Sequence, residues 1–304
     1  MQPLISICIP TYGRELILKK TIESILLNNT NTDFYEICIS DNSPTDETKQ
    51  MLQKYFFENK NIIYKKSTSE GYYNSIEALK IGKGKFLKLH NNYTCFKKNY
   101  FDTFINEIKQ YDENTVLFFL SNGKTNNDSI IKYNSFNDFL NYISYLSTWS
   151  SSFGIWKKDL DKLLNSDIEI DSMFPHTSLL FFLSNKSDYI INKTQYFENQ
   201  DVKKKGGYNL PETFGTRYLK MCDQLLKNKY ITQSTYDHIK TDILHFISDY
   251  YINVRYFKDK YTFDYNNWES IIFSIYGQYG INYIKKQYRK SSFKCLIKKI
   301  LNRY

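Results

Sequence analysis

The chain has five cysteines in 304 residues, and none is close to another: Cys8, Cys38, Cys95, Cys222 and Cys295. There is no C-x-x-C pair, which excludes the common zinc frameworks. An odd, scattered set also gives no basis for a disulfide framework and fits a reducing compartment. Cys8 and Cys38 lie inside apolar runs, where a thiol serves as a small hydrophobe. No apolar run approaches the roughly 20 residues that span a bilayer. The N-terminus lacks a basic start followed by an apolar core, so no signal peptide is expected. The expected location is cytoplasmic, or peripheral on the inner face of the cell membrane. The sequence also lacks a P-loop, an internal repeat and a G-x-S-x-G paired with a histidine. It has neither a recognisable nucleic-acid module nor a dense arginine stripe, so no nucleic-acid partner is expected.

What the chain does have is apolar mass and positive charge. Hydrophobic residues make up 41%, with 28 Tyr and 22 Phe, enough to build a sizeable core. Net charge is +9, which favours anionic partners such as nucleotide phosphates or an acidic membrane surface. Two short apolar runs, 4–9 and 36–40, flank an amphipathic stretch at 15–27, and each run ends in turn residues. That pattern predicts a βαβ unit with parallel strands. Ligands of open α/β sheets bind beyond the carboxyl ends of the strands. Pro10-Thr11-Tyr12-Gly13-Arg14 and Asp41-Asn42-Ser43 fall at those two ends.

Farther along, the pattern predicts strands at 61–66, 85–89, 115–121, 148–156 and 188–197. Helices are predicted at 73–81, 100–111, 135–146, 157–164 and from Pro175 onward, with polar loops at 122–133 and 200–211. From residue 211 the character changes to helices with aromatic stripes at 214–229, 232–257 and 268–286. The expected division is therefore 1–210 and a helical region 211–304. The last stretch, 291–304, alternates apolar residues with Lys294, Lys298, Lys299 and Arg303. It reads either as a helix on an anionic bilayer or as a terminal helix docked on the body.

The pair I-P-T-Y-x-R and I-S-D-N-S-x-T-D resembles the N-terminal half of the family-2 glycosyltransferases. Gly13 stands where that family has Asn, Asn42 where it has a second Asp, Ser43 where it has Gly and Pro44 where it has Ser. The spacing from Asp41 to Asp46 is kept. The stretch G-x-x-N-x-x-x-A-L-x-x-G-K-G-K-F-L-x-L, beginning at Gly71, extends the resemblance over 4–94. It implies an α/β GT-A fold: a Rossmann-like, mostly parallel sheet flanked by helices, here with a C-terminal helical appendage. It also implies inverting transfer of a sugar from a nucleotide-diphosphate donor, UDP-sugar favoured, to a hydroxyl of a bacterial surface polysaccharide or lipid-linked glycan. The donor-side residues it implies are Pro10, Thr11, Tyr12, Arg14, Asp41, Asn42, Ser43, Gly71 and Asn74. Asp41 would accept a hydrogen bond from the base edge, and Arg14 with the Thr11-Tyr12 backbone would hold nucleoside and phosphates. Asp46 reads first as a helix-start acid.

His90-Asn91-Asn92 falls where the family has D-x-D, whose last Asp holds Mn²⁺ or Mg²⁺. A hard dication prefers anionic oxygens, and an Asn amide is a weaker ligand. Three readings follow: a weakly held metal using His90, Asn92 or water; metal-free chemistry with Lys or Arg on the phosphates; or loss of catalysis. The last would leave a nucleotide-sugar-binding or partner protein. The resemblance, closest to the abequosyltransferase-like branch, puts the catalytic base at Asp171 in D-x-x-x-x-H-x-x-L-L, with Asp167 and Glu169 as rivals. Asp171 reads equally as a helix cap. His176 reads as a substrate or metal contact, or as a packed core histidine. The Lys- and Gly-rich loop 200–211 reads as a cover for the donor or as a solvated loop.

Overall fold

The computed structural model describes residues 2–28, 32–56, 59–120 and 129–301. The backbone packs as two compact units, Met1–Phe139 with Leu146–Asp201, and Leu140–Tyr145 with Val202–Tyr304.

In the first unit, β1 (Ile5–Thr11) and β2 (Tyr35–Asp41) are buried along nearly their whole length. A strand covered on both faces needs a continuous apolar run rather than alternation, and both have one. They pair in parallel from Ile5↔Tyr35 to Thr11↔Asp41. Between them, α1 (Glu15–Leu26) turns Leu18, Ile22 and Ile25 inward. Next come α2 (Glu47–Phe56), β3 (Ile62–Lys66), α3 (Asn74–Ile81) and β4 (Phe86–Leu89). β3 and β4 join the sheet in parallel, so β1 to β4 all end at the same edge. Gly84 allows β4 to start close against β1, because a Cβ there would sit 2.6 Å from the Ser6 nitrogen.

The chain continues through β5 (Thr94–Phe96), α4 (Phe101–Ile108), β6 (Thr115–Phe119), β7 (Ile130–Tyr133) and α5 (Phe136–Ile143) to β8 (Gly154–Trp156). β8 closes the main sheet antiparallel to β4, giving the order β3-β2-β1-β4-β8. After α6 (Lys157–Leu164) and α7 (Pro175–Phe182), β9 (Asp188–Asn192) pairs with β6 and β7 in a second sheet, and β10 (Phe197–Asn199) pairs with β5. Beneath β4, Phe96, Phe104, Phe119 and Phe197 pack mostly edge to face. Each fully buried aromatic contributes about 1.5–3 kcal/mol.

Two segments differ from the pattern reading. The polar stretch 122–133 ends in β7, a strand with a half-exposed alternation too short to stand out in sequence. Residues 121–128 of that stretch lie outside the described residues. The predicted strand 148–156 is mostly 3₁₀ turn, Ser144–Thr148 and Ser150–Ser152, before the short β8. Three consecutive serines bond their own backbone more readily than a strand partner.

In the second unit, β11 (Lys205–Asn209) leads into a π-helical turn, Pro211–Tyr218, and then α8 (Leu219–Lys227). α9 (Gln233–Tyr256) is capped by the Thr232 side chain, which accepts from the Thr235 amide. β12 (Tyr261–Asp264) pairs parallel with β11, so part of the expected loop 200–211 is strand. α10 (Trp268–Leu301) breaks at Gly277, with φ 62° and ψ −160°. The basic stretch 291–304 continues α10 to Leu301. Its side chains from 293 onward lie outside the described residues. Among the described residues no helix is long and apolar enough to cross a membrane.

Candidate active site

The register Thr11↔Asp41 and Asp41↔Lys66 brings the ends of β1, β2 and β3 into one row. The loop after β1 turns through two consecutive left-handed residues, Gly13 (φ 61°) and Arg14 (φ 64°). Gly13 supplies that conformation at no steric cost, and Arg14 does not. The Gly13 amide donates to Ser43 Oγ at 2.6 Å, tying the first loop to the second. Ser43 passes the connection on: its hydroxyl donates to Asp41 Oδ1, and its amide donates to the same oxygen at 2.9 Å. Asp41 Oδ2 accepts from the Tyr64 hydroxyl at 3.0 Å and lies 3.6 Å from Lys66 Nζ. Burial, reinforced by the Asp41 carboxylate, raises the Tyr64 pKa, so the phenol stays protonated and donates. Asp41 is 0% exposed. Lys66 also reaches Asp46 at 3.5 Å and the Thr45 carbonyl at 2.5 Å.

Asn74, at the start of α3, is buried behind this row. Its Oδ1 accepts from Ser40 Oγ at 2.7 Å. Its amide donates to the Ser40 carbonyl at 2.9 Å and to Asn42 Oδ1 at 3.1 Å. Asn42 Nδ2 donates to the Ser69 carbonyl at 3.0 Å. Gly71 (φ 52°) opens the turn into α3. Pro10, within β1, is half-buried. Of the expected donor-side residues, then, Thr11, Asp41, Ser43 and Asn74 form a buried frame. Tyr12, 65% exposed, and Arg14 stand at the rim. Tyr72, 51% exposed, stands there too, and Arg14 acts electrostatically on the Tyr72 and Tyr93 hydroxyls.

The triplet after β4 is tied into the protein. His90 is 0% exposed, stacked on Phe96 with centroids 5.3 Å apart, and its Nε2 donates to the Thr94 carbonyl at 2.7 Å. Burial, with Lys88 adding to it, lowers its pKa to about 3, so the ring is neutral. Its Nδ1 is buried without a partner. Asn91 donates to the Tyr93 hydroxyl at 3.0 Å and accepts from Ser150 Oγ at 2.7 Å. Asn92 is buried and donates to Thr11 Oγ1 at 2.9 Å. The reading of His90 as a metal or diphosphate contact is therefore corrected: its ring belongs to the aromatic core. Asn92 supports the Thr11 turn.

Asp171 precedes α7. Its Oδ1 accepts from the Met173 and Phe174 amides, both at 2.8 Å, which closes the turn leading into α7; the N-cap residue itself is Phe174. Asp167 and Glu169 are exposed in the segment before it. His176 is 6% exposed, and its Nε2 donates to the Thr148 carbonyl at 2.9 Å. Burial lowers its pKa to about 4, partly offset by that carbonyl. These contacts make it a packed neutral histidine rather than a metal contact. α7 packs beside α3, and the 148–150 segment that His176 holds also holds Asn91 through Ser150. α7 is thus connected to the row of strand ends.

The model of the family described as Glycosyl transferase family 2 matches residues 6–170, more than half of the chain. The chain belongs to that family. It is 34% identical over 53 residues to validoxylamine A glucosyltransferase of Streptomyces hygroscopicus subsp. limoneus, covering 17% of this chain and 12% of that relative. It is 45% identical over 72 residues to abequosyltransferase RfbV of Salmonella typhimurium, covering 21% of this chain and 20% of that relative. Among solved structures, S. aureus TarS 1-349 in complex with UDP-GlcNAc superposes with a TM-score of 0.61 at 16% identity, covering 95% of this chain and 91% of that one. The mannosyltransferase PcManGT of Pyrobaculum calidifontis, in complex with GDP-Man and Mn²⁺, gives 0.53 at 11% identity, covering 95% and 87%. These likenesses establish the GT-A fold.

For a family-2 glycosyltransferase the departures from pattern now have places. Among the described residues no group of three or more His, Cys, Asp or Glu is arranged to hold a metal ion. The donor set at the D-x-D position is a buried imidazole and two amides already bonded within the chain, so it does not fit a hard dication. Pattern reading missed Tyr64, Lys66, Ser69, Tyr72 and Ser150. The first two were accessible from register alone, because parallel β2 and β3 end side by side and put Lys66 opposite Asp41.

Proposed function

We propose that this family-2 glycosyltransferase moves a sugar, with inversion, from a nucleotide-diphosphate donor to a hydroxyl of a surface-polysaccharide or lipid-linked glycan. The observation that carries this reading is the joined pair of loops at the ends of β1 and β2, locked through Gly13, Ser43 and Asp41 beneath exposed Tyr12 and Arg14. A frame of that kind holds a nucleoside diphosphate in one orientation, and orientation is most of what this chemistry asks of a protein. A uridine donor is favoured, in keeping with the UDP-GlcNAc in the TarS complex.

In the proposed step, the acceptor oxygen bonds to the anomeric carbon while the bond from that carbon to the diphosphate oxygen breaks. The electron pair leaves with the diphosphate, and the acceptor proton passes to Asp171. Asp171 Oδ1 accepts from the Met173 and Phe174 amides, which orients the carboxylate in the turn ahead of α7. The residues given a role in this step all belong to the first unit, which ends at Asp201 rather than at the expected residue 210. The stretch 291–304 would place the enzyme on an anionic inner membrane surface beside a lipid-linked acceptor.

Asp171→Asn tests the reading, because the amide oxygen still accepts the Met173 and Phe174 bonds. In assays with UDP-, GDP-, CDP- and dTDP-sugars, the parent protein should release nucleotide. The variant should lose about 10²–10⁴-fold in turnover while its nucleotide affinity and melting midpoint hold. Retained turnover rejects Asp171 as base. No turnover by the parent with any donor, alongside intact nucleotide binding, favours the second reading, a nucleotide-sugar-binding protein without transfer. The tied His90-Asn91-Asn92 triplet is the observation on that side.

A further inference from the structure

Resting on the donor-binding reading above, we propose that this chain holds the donor diphosphate without a divalent ion, the positive charge coming from the Arg14 guanidinium. Three independent features converge on it. The residues at the family's metal position carry no charge: His90 is a neutral ring buried against Phe96 with Nε2 on the Thr94 carbonyl, and Asn91 and Asn92 are neutral amides that donate to Tyr93 and Thr11, a poor set for a hard dication. The acid nearest the row of strand ends, Asp41, is 0% exposed and has both oxygens engaged by Ser43, Tyr64 and Lys66. A dication placed there would have to displace those bonds to gain the Asp41 carboxylate.

The cations at this edge divide in the same way. Lys66 is spent on Asp41, Asp46 and the Thr45 carbonyl. Arg14 is exposed and, among the described residues, pairs with no acid. It is held at the first turn of α1 by a left-handed backbone, φ 64° and ψ 38°, that an arginine adopts only at a cost. Its electrostatic neighbours are the Tyr72 and Tyr93 hydroxyls, one exposed at the rim and the other bonded to Asn91. A guanidinium grips a phosphate with a planar fork of donors and cannot lose its proton, so it can replace a metal on a leaving diphosphate.

The test is calorimetric titration of the full chain with UDP, GDP, CDP and dTDP, each in EDTA and in Mn²⁺, followed by the matching monophosphate and Arg14→Gln. The expected result is one nucleotide whose affinity changes less than threefold between EDTA and Mn²⁺. Arg14→Gln should then lose at least tenfold for the diphosphate but less than threefold for the monophosphate, and Arg14→Lys should lose an intermediate amount. A role confined to folding would lower both affinities together. Arg14 is exposed, so its variants should keep the parental melting midpoint. Binding that requires Mn²⁺ overturns this inference and leaves the proposed function standing. An equal loss for di- and monophosphate in Arg14→Gln overturns the role of Arg14. Absence of binding by every nucleotide in both buffers overturns the donor site itself, and this inference with it.

Discussion

Strand β2 carries a buried acid near each end, and the two are used differently. Near its start, Glu36 is 5% exposed and gathers every bond on Oε1: the Ser6 hydroxyl at 2.6 Å, the Lys83 amide at 2.5 Å and the Gly84 amide at 3.2 Å. Those partners belong to β1 and to the turn that enters β4, so Glu36 closes the sheet where no loop reaches outward. At the far end, Asp41 gathers Ser43 from the loop after β2 and Tyr64 and Lys66 from β3, and Ser43 in turn holds the Gly13 amide of the loop that carries Tyr12 and Arg14. The same side-chain chemistry thus makes a clamp at one end and a frame for a ligand at the other. The difference lies in whose donors are satisfied: mostly backbone amides of a turn at one end, mostly side chains, of Ser43 and of β3, at the other.

The largest expected effect is at the clamp. Glu36→Ala strands the Lys83 amide and the Ser6 hydroxyl in a buried place, at about 3 kcal/mol. Urea unfolding should show that loss, while nucleotide affinity of the folded fraction stays put; a larger loss of affinity than of stability would erase the contrast between the two ends. Next in size is the acid response of α7. His176 is neutral when folded, with a pKa of about 4, and titrates near 6.5 when unfolded. Between those values the unfolded chain binds a proton that the folded chain refuses, so stability is complete above pH 6.5 and is lost as pH falls toward 4. The loss approaches about 3 kcal/mol. His176→Gln should reduce this slope in unfolding measurements at pH 7 and 4.5, with His90 supplying the part that remains, without moving nucleotide affinity at pH 7. An unchanged slope would mean the ring is not held neutral.

The smallest effect is at the frame. Asp41→Asn keeps an acceptor for the Ser43 amide but removes the charge facing Lys66. It should cost about tenfold in nucleoside-diphosphate affinity, about 1.4 kcal/mol, and less than that in stability. A variant with full affinity and a large stability loss would make Asp41 a second clamp.

The upper half of this architecture was legible in the sequence because its signals are local. L-I-S-I-C-I-P-T-Y and Y-E-I-C-I-S-D are apolar runs stopped by turn residues, and β1, α1, β2, α3 and β4 follow from them. The site was legible as positions rather than orientations. Asn74 and His90 both stand where expected along the chain, yet one knits loops together from behind and the other turns into an aromatic stack. Which way a side chain at a strand end turns depends on space that its own pattern does not show, here that between Phe96 on β5 and the distant Phe197 on β10. β11 was hidden for a different reason: K-G-G-Y-N has two glycines and little apolar content, and its partner lies at Tyr261–Asp264. Lys88 is the sharpest case. A lysine in K-F-L-K-L reads as solvent-facing, but it is 0% exposed, donates to the Leu89 and Ser151 carbonyls and lies 5.5 Å from the Phe119 and Phe197 centroids. Burial lowers its pKa to about 7.

The left-handed turn at Arg14 has a consequence for anyone breeding a sturdier version of this enzyme. An L-residue there gives up about 1 kcal/mol that glycine would not. Arg14→Gly therefore relaxes the backbone and removes the guanidinium in one step. A library sorted only for heat resistance would enrich that change, and under the role proposed for Arg14 the survivors would outlast the parent while binding the nucleotide less tightly.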